Sequence, residues 1–289
     1  MFGKNAKEYK EWLAHRDYLD TLPEGIKVVN TGSTAGYNAF DYSDWPIPGY
    51  NFGWQPQTLY YDFETLKRFE SHLAAGAVIF ITIEHFKFLV DHYPDPAASY
   101  RYYFFLEPEQ IKDYDPETAR RLRLCPCFVY KKLLRGAVIS FVKRILRYKK
   151  PEFSSHEEKD AYWGKRCLEG WYKEFGWQES TRNLSAEQRE CVAVVLNRLK
   201  AMLDYCVSHG WKPVVVVLPL SPSISDSLPP TIMEECLWRP LAEIRDAGYP
   251  VVDLFHESNF HNAGLYENAL TMNHKGRQAF NTIMKTFIQ

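Results

Sequence analysis

The chain is short of several features that would settle a function at once. Its 289 residues contain neither Gly-x-x-x-x-Gly-Lys-Ser nor Gly-x-Gly-x-x-Gly, so nucleotide or dinucleotide chemistry has no motif behind it. Gly-x-Ser-x-Gly, the strand-to-helix nucleophile turn, is missing as well. No charge of one sign dominates: the net charge of -1 argues against a protein built to neutralise nucleic-acid phosphates. The six cysteines, at 125, 127, 167, 191, 206 and 236, lack Cys-x-x-Cys spacing and a neighbouring His-x-x-x-His, which disfavours a zinc module, and no metal or cofactor is expected. Cys191 and Cys206 fall on an apolar helical pattern and read as small core residues of a chain kept in a reducing compartment. Long apolar runs are absent too. Nothing approaches the roughly 20 residues of a membrane span, and Met1 to Leu13 is polar and charged, unlike a signal peptide, so the expectation is a soluble, cytoplasmic protein.

What is present is a core-forming composition, 46% hydrophobic, arranged as strands alternating with helices. Strands are expected at Ile26 to Thr31, near Tyr50 to Phe52, and at Ala77 to Ile83, Val214 to Leu218 and Val251 to Phe255. Helices are expected at Gln57 to Ala75, at Ser185 to His209 with a Ser185–Gln188 capping box, at Thr231 to Ala247 with an interruption at Pro240, and after Asn273 as a cap. The fold class is therefore α/β: a three-layer α/β/α sandwich, flavodoxin-like, around a five-stranded parallel sheet. The alternation stops between 84 and 183, where aromatic and basic residues crowd together, as in Tyr100-Arg-Tyr-Tyr-Phe-Phe105. This stretch reads as a helical insertion, or lid, within a single domain spanning 1–289.

Ser33 is the first candidate for chemistry. It follows the strand Ile26 to Thr31 and the permissive Gly32, and precedes helix-like sequence, so its hydroxyl would stand beside backbone N–H groups suited to a developing oxyanion. The plainer alternative is that Ser33 or Thr34 caps the next helix.

A serine after the first strand, five alternating strands and a terminal block before the last helix resemble the SGNH hydrolase superfamily. More narrowly, Asn30-Thr-Gly-Ser-Thr-Ala-Gly-Tyr-Asn-Ala-Phe-Asp-Tyr42 and Gln57-Thr-Leu-Tyr-Tyr-Asp-Phe63 look like a bacterial branch near cell-envelope polysaccharide genes. That branch is distantly similar to the D-alanyl transfer protein of teichoic acid synthesis. The resemblance covers roughly Lys27 to Ile83 and Leu184 to Phe287. It implies an esterase or O-acyltransferase acting on a cell-surface glycan or its lipid-linked precursor, with Ser33 as nucleophile. Gly53 suits the family's oxyanion glycine, with Asn30 beside it, and His85 stands near the place of the family's oxyanion asparagine.

The resemblance breaks at the family's Asp-x-x-His pair. With Asn273 and Gly276 fixing the register, Asn268 occupies the aspartate position and Thr271 that of the histidine, and a threonine cannot serve as base near neutral pH. His274 is the first substitute base, followed by His261 and His256. The second reading is a catalytically inactive relative that binds glycan or acts as a scaffold.

Lys131 to Lys150 forms a basic amphipathic pattern in which Leu134, Val138, Phe141 and Ile145 share a face. It suggests peripheral contact with the inner face of an anionic membrane, or else a solvated insertion helix.

Overall fold

Valine and isoleucine dominate the segments that form the sheet, because branched side chains pack well on a pleated surface buried on both sides. The computed structural model of the chain describes residues 22–124, 139, 142, 151–178 and 181–288. Cys125, Cys127, the amino-terminal segment Met1 to Leu13 and the basic stretch 131–150, except Ile139 and Val142, lie outside them. The chain divides into two compact units, Glu24–Asp91 with Phe153–Gln289 and Met1–Pro23 with His92–Glu152.

The larger unit runs β1 (Ile26–Thr31), α1 (Thr34–Ala39), β2 (Gly49–Asn51), α2 (Leu59–Arg68) and β3 (Leu73–Ile83). Among its described residues the smaller unit has short 3-10 turns and the helix α3 (Pro116–Leu124), with the Tyr103 ring stacked on Tyr114. The larger unit then resumes with α4 (His156–Glu174), α5 (Ala186–Ser208), β4 (Lys212–Val217), α6 (Pro222–Ser225), α7 (Pro230–Met233), α8 (Arg239–Asp246) and β5 (Val251–Asp253). It closes with the hairpin β6 (Tyr266–Asn268) and β7 (Thr271–Met272), then α9 (His274–Met284).

The five long-range strands make an all-parallel sheet in the order β2-β1-β3-β4-β5, which is the expected α/β sandwich. On one face Val28, Phe80, Val214 and Val216 join Phe40, Phe280 and Met284, so α1 and α9 cover it. On the other face Val29, Ile79, Ile81, Val215 and Val217 are buried, and α2, α5 and α8 pack there. Each such side chain, fully withdrawn from water, contributes about 1.5–3 kcal/mol.

Boundaries follow local chemistry. β1 matches its expected limits, and α5 begins at the Ser185–Gln188 capping box, in which each side-chain oxygen accepts from the other residue's backbone N–H. β3 starts at Leu73, four residues earlier than its apolar core suggests, because the small residues of Leu73-Ala-Ala-Gly76 extend beside Ile26 rather than continue a helix. The interruption near Pro240 is a π-helical turn, Glu234–Trp238, which places the proline in the first turn of α8, where its missing N–H leaves no gap.

Candidate active site

Ser33 stands at the carboxyl end of β1, beside the switch point where chain progression reverses between β1 and β3. Gly32 turns the backbone with φ of 129°, and its N–H donates to Asp62 Oδ1 at 2.7 Å while its carbonyl accepts from Trp54 N–H at 2.9 Å. The turn is thus held from two sides. Ser33 itself is 5% exposed, and its Oγ accepts from the Gln57 N–H at 3.2 Å, its one hydrogen bond among the described residues.

Ser33 does not cap α1 with its side chain. Glu84, arriving just after β3, does so instead: its Oε1 accepts from Ala35 N–H at 2.8 Å and Gly36 N–H at 3.4 Å. Burial raises the Glu84 carboxyl above the usual carboxylate range, and Lys87 and the two amides draw it partly back. The consequence for chemistry is direct. The amides at the start of α1, which would meet a developing oxyanion, already face a carboxylate.

Beneath the turn lies a buried ion pair absent from the sequence reading. Lys87 Nζ is 2.7 Å from Asp62 Oδ2, with the two side chains 4% and 0% exposed. Gln57 Nε2 donates to Asp62 Oδ1 at 2.6 Å and to the Phe52 carbonyl at 3.0 Å, and Lys87 Nζ donates to the Gln57 carbonyl at 2.9 Å. Asp62 carried a usable signal: it sits three residues after Leu59 and four before Leu66, on the inner stripe of α2, where an acid needs a partner.

Asn30 and Gly53 belong to a second polar chain. Tyr42 Oη donates to Asn30 Oδ1 at 3.0 Å, Asn30 Nδ2 to Asn51 Oδ1 at 2.9 Å, and Asn51 Nδ2 to the Tyr37 carbonyl at 2.9 Å. The Gly53 N–H, expected to face an oxyanion, donates to Asn51 Oδ1 at 2.9 Å. These contacts fasten β2 and the loop after it to β1 and α1.

His85 is enclosed by aromatic rings, with centroids 4.2 Å from Trp171 and 4.5 Å from Phe86. Neither ring nitrogen has a hydrogen-bond partner among the described residues, and burial pulls its pKa down to about 3. It packs as a neutral ring. Below the unfolded-state value of about 6.5 the unfolded chain binds a proton that the folded chain refuses, so stability falls as pH drops from about 6.5 toward 3. His85→Phe is expected to flatten that limb by up to about 1.4 kcal/mol per pH unit in urea titrations between those limits. Parallel limbs for parent and variant would refute the assignment.

The terminal block does reach the serine's helix, because β7 packs on α1. Its side chains have other tasks. Asn268 Oδ1 accepts from Leu270 N–H at 2.9 Å and Thr271 N–H at 3.0 Å, pinning the β6–β7 turn, and Thr271 is half-buried on β7. His274 is exposed at the first position of α9 and lies within electrostatic reach of Asp41. Hydrogen bonds with Ser43 hold Asp41 below the usual carboxylate range, aided by Arg277 and His274. Asp41 lies eight residues after Ser33, beyond the far end of α1, whose six residues span about 9 Å.

The other two histidines are engaged elsewhere. His256 Nδ1 is 2.8 Å from Asp253 Oδ2 at the end of β5, three strands or about 14 Å across the sheet from β1. His261 Nε2 is 2.9 Å from Asp226 Oδ1.

No family model matches the chain, and no curated protein matches it. The geometry around Ser33 is a braced turn with an accepting hydroxyl and a carboxyl group on the neighbouring amides, and among the described residues no histidine is hydrogen-bonded to that hydroxyl.

Proposed function

We propose that the chain is an SGNH-like binding or scaffolding protein that retains the serine turn without the proton-transfer machinery of an esterase. The observation that carries this reading is the environment of Ser33 Oγ, which receives a hydrogen bond from Gln57 N–H and has no basic side chain hydrogen-bonded to it among the described residues, while Glu84 holds the amides of Ala35 and Gly36. A serine hydroxyl is a poor nucleophile without a group to take its proton, and loss of a triad base removes several orders of magnitude in rate. The ligand class proposed is an acylated glycan or its lipid-linked precursor. Half-buried Trp54 and Tyr37, with ring centroids 5.5 Å apart beside the Gly32 turn, support it, since such rings offer an apolar face to a sugar. Ester hydrolysis or acyl transfer is the second reading, favoured by the strand–turn–helix placement of Ser33 and by the packing of β7 on α1.

Among the described residues no helix is long and apolar enough to cross a membrane. A cytoplasmic location with peripheral membrane contact through 131–150 remains part of the proposal on sequence composition alone.

Fluorophosphonate labelling separates the two readings. The parent and Ser33→Ala are expected to label equally weakly, and the parent is expected to retain an O-acetylated oligosaccharide without releasing acetate. Selective labelling of the parent, or Ser33-dependent acetate release, would overturn the binding reading in favour of catalysis.

A further inference from the structure

Helix α4 is attached to the larger unit by a narrow strip. Of its 19 residues only Asp160 and Gly164 are buried, and both meet Ser223 of α6: Asp160 Oδ2 accepts from the Ser223 N–H at 3.0 Å, and a β-carbon on Gly164 would stand 2.2 Å from Ser223 Oγ. On the side turned away from α6, Lys159, Tyr162, Trp163, Arg166, Gly170 and Lys173 fall within one arc of about 100° at 3.6 residues per turn. Tyr162, Arg166, Gly170 and Lys173 are exposed, and Lys159 and Trp163 half-buried.

This outer arc is built from rings and cations. The Tyr162 centroid is 5.2 Å from that of Trp163 and 5.3 Å from that of Phe153, and the Arg166 guanidinium lies 5.7 Å from the Tyr162 ring and 6.0 Å from the Trp163 ring, donating from Nη1 to Tyr162 Oη at 3.4 Å. Gly170, one turn after Arg166, is a costly residue for a helix interior, and a β-carbon there would meet nothing within 4 Å, so packing within the chain does not call for it. Its effect is to leave the surface beside Arg166 open. Lys159 is 3.3 Å from Glu267, but Arg166 and Lys173, about 10 Å apart along the axis, form no ion pair among the described residues. The acids of α4 lie off the arc: Glu158 accepts from Ser154, Glu169 is 3.9 Å from Lys165, Glu157 is on the far side, and Glu174 stands at the border. Flat rings, two spaced uncommitted cations and an omitted side chain complement an extended molecule with carboxylates at intervals and apolar C–H faces between them. An anionic membrane fits less well, because the arc carries no leucine, isoleucine, valine or phenylalanine to insert among acyl chains.

We propose that the outer face of α4 binds an acidic polysaccharide, with sugar rings against Tyr162 and Trp163 and carboxylates at Arg166 and Lys173. The face uses none of the residues of the Ser33 turn and does not depend on the function proposed for it.

Hexagalacturonate and maltohexaose are both α-1,4-linked hexamers, the first with a carboxylate on every ring and the second with none, which makes them suitable probes. Calorimetric titration of the full chain at neutral pH and low salt is expected to give saturable binding of hexagalacturonate, at least about tenfold tighter than maltohexaose and weakening as salt is added. Arg166→Gln and Lys173→Gln, both at exposed positions, should each weaken it about threefold or more. Gly170→Gln separates binding from folding. It replaces glycine by a better helix former and should raise the urea midpoint, while its side chain obstructs the open strip and weakens hexagalacturonate about tenfold. Equal affinity for the two hexamers, absence of hexagalacturonate binding, or unchanged affinity in both Arg166→Gln and Gly170→Gln would overturn the assignment. Sedimentation with phosphatidylglycerol vesicles that Arg166→Gln abolishes, without hexagalacturonate binding, would overturn it in favour of a membrane surface.

Discussion

Asp62→Ala is expected to cost about 3–5 kcal/mol of stability, read as a fall in the urea midpoint at constant slope. The magnitude follows from what the substitution leaves behind. Lys87 is 4% exposed and cannot swing its ammonium into water without breaking its bond to the Gln57 carbonyl, so the variant strands a buried cation. The Gly32 N–H and the Gln57 side-chain amide lose their shared acceptor at the same time, at about 1–3 kcal/mol for each buried donor left unmatched. The double variant Asp62→Leu with Lys87→Met removes the stranded charge but leaves those two donors unmatched. It should therefore recover part of the loss and no more. A single-variant cost below about 1 kcal/mol would show that solvent or a neighbouring group compensates Lys87, and that the pair does not brace the serine turn.

The second large effect is expected at two glycines, Gly32 just after β1 and Gly36 in α1. A β-carbon on Gly32 would stand 1.7 Å from Thr82 Oγ1, and one on Gly36 would stand 2.2 Å from the same atom. Thr82 cannot easily turn aside, since its hydroxyl donates to the Thr31 carbonyl at 2.6 Å. Overpacking of this kind costs about 1–3 kcal/mol, and Gly32 adds about 1–3 kcal/mol because its φ of 129° is foreign to alanine. Gly32→Ala is thus expected to be the more damaging, at about 2–6 kcal/mol in urea unfolding. Thr82→Ala distinguishes the two causes. It removes the colliding oxygen and should largely restore Gly36→Ala, whose backbone is ordinary, while leaving the conformational part of the Gly32→Ala defect. Equal rescue of both would mean that the turn at Gly32 stores no backbone strain.

The fold was legible where a pattern is local and repeated. Val28 and Val29, the run from Val214 to Val217, and the apolar face from Val192 to Cys206 announce buried strands and an amphipathic helix without knowledge of their partners. The cap at Asn273 was readable for the same reason, since its Oδ1 accepts from Lys275 and Gly276, residues two and three places on. Gly276 also lies where a β-carbon would meet the Leu265 carbonyl at 2.4 Å. The two residues that set the register of the terminal block are therefore required by packing and capping. They would persist whether or not the block performs chemistry.

The site was less legible because its decisive contacts join distant positions. Nothing near Glu84 in the sequence says that its carboxylate reaches Ala35, 49 residues earlier. Nothing near Asp62 points to Lys87. The aromatic stretch 84–183 read as an insertion or lid, and nothing in it says that the Trp171 and Phe86 rings bury His85. The short hairpin Tyr266–Asn268 with Thr271–Met272 went unseen because two or three residues carry no periodicity to read.

The outermost strands β2 and β5 are each three residues long. An incoming chain that tried to extend the sheet at either margin would find only a few free backbone groups, too few to template a ribbon between molecules. The long strands β1, β3 and β4, whose valine-rich sequences are the most prone to fibrillar growth, lie between those margins and are already paired on both sides. This order of strands protects the protein from edge-to-edge aggregation once folding is complete, and confines the hazard to intermediates in which β2 or β5 has not yet docked.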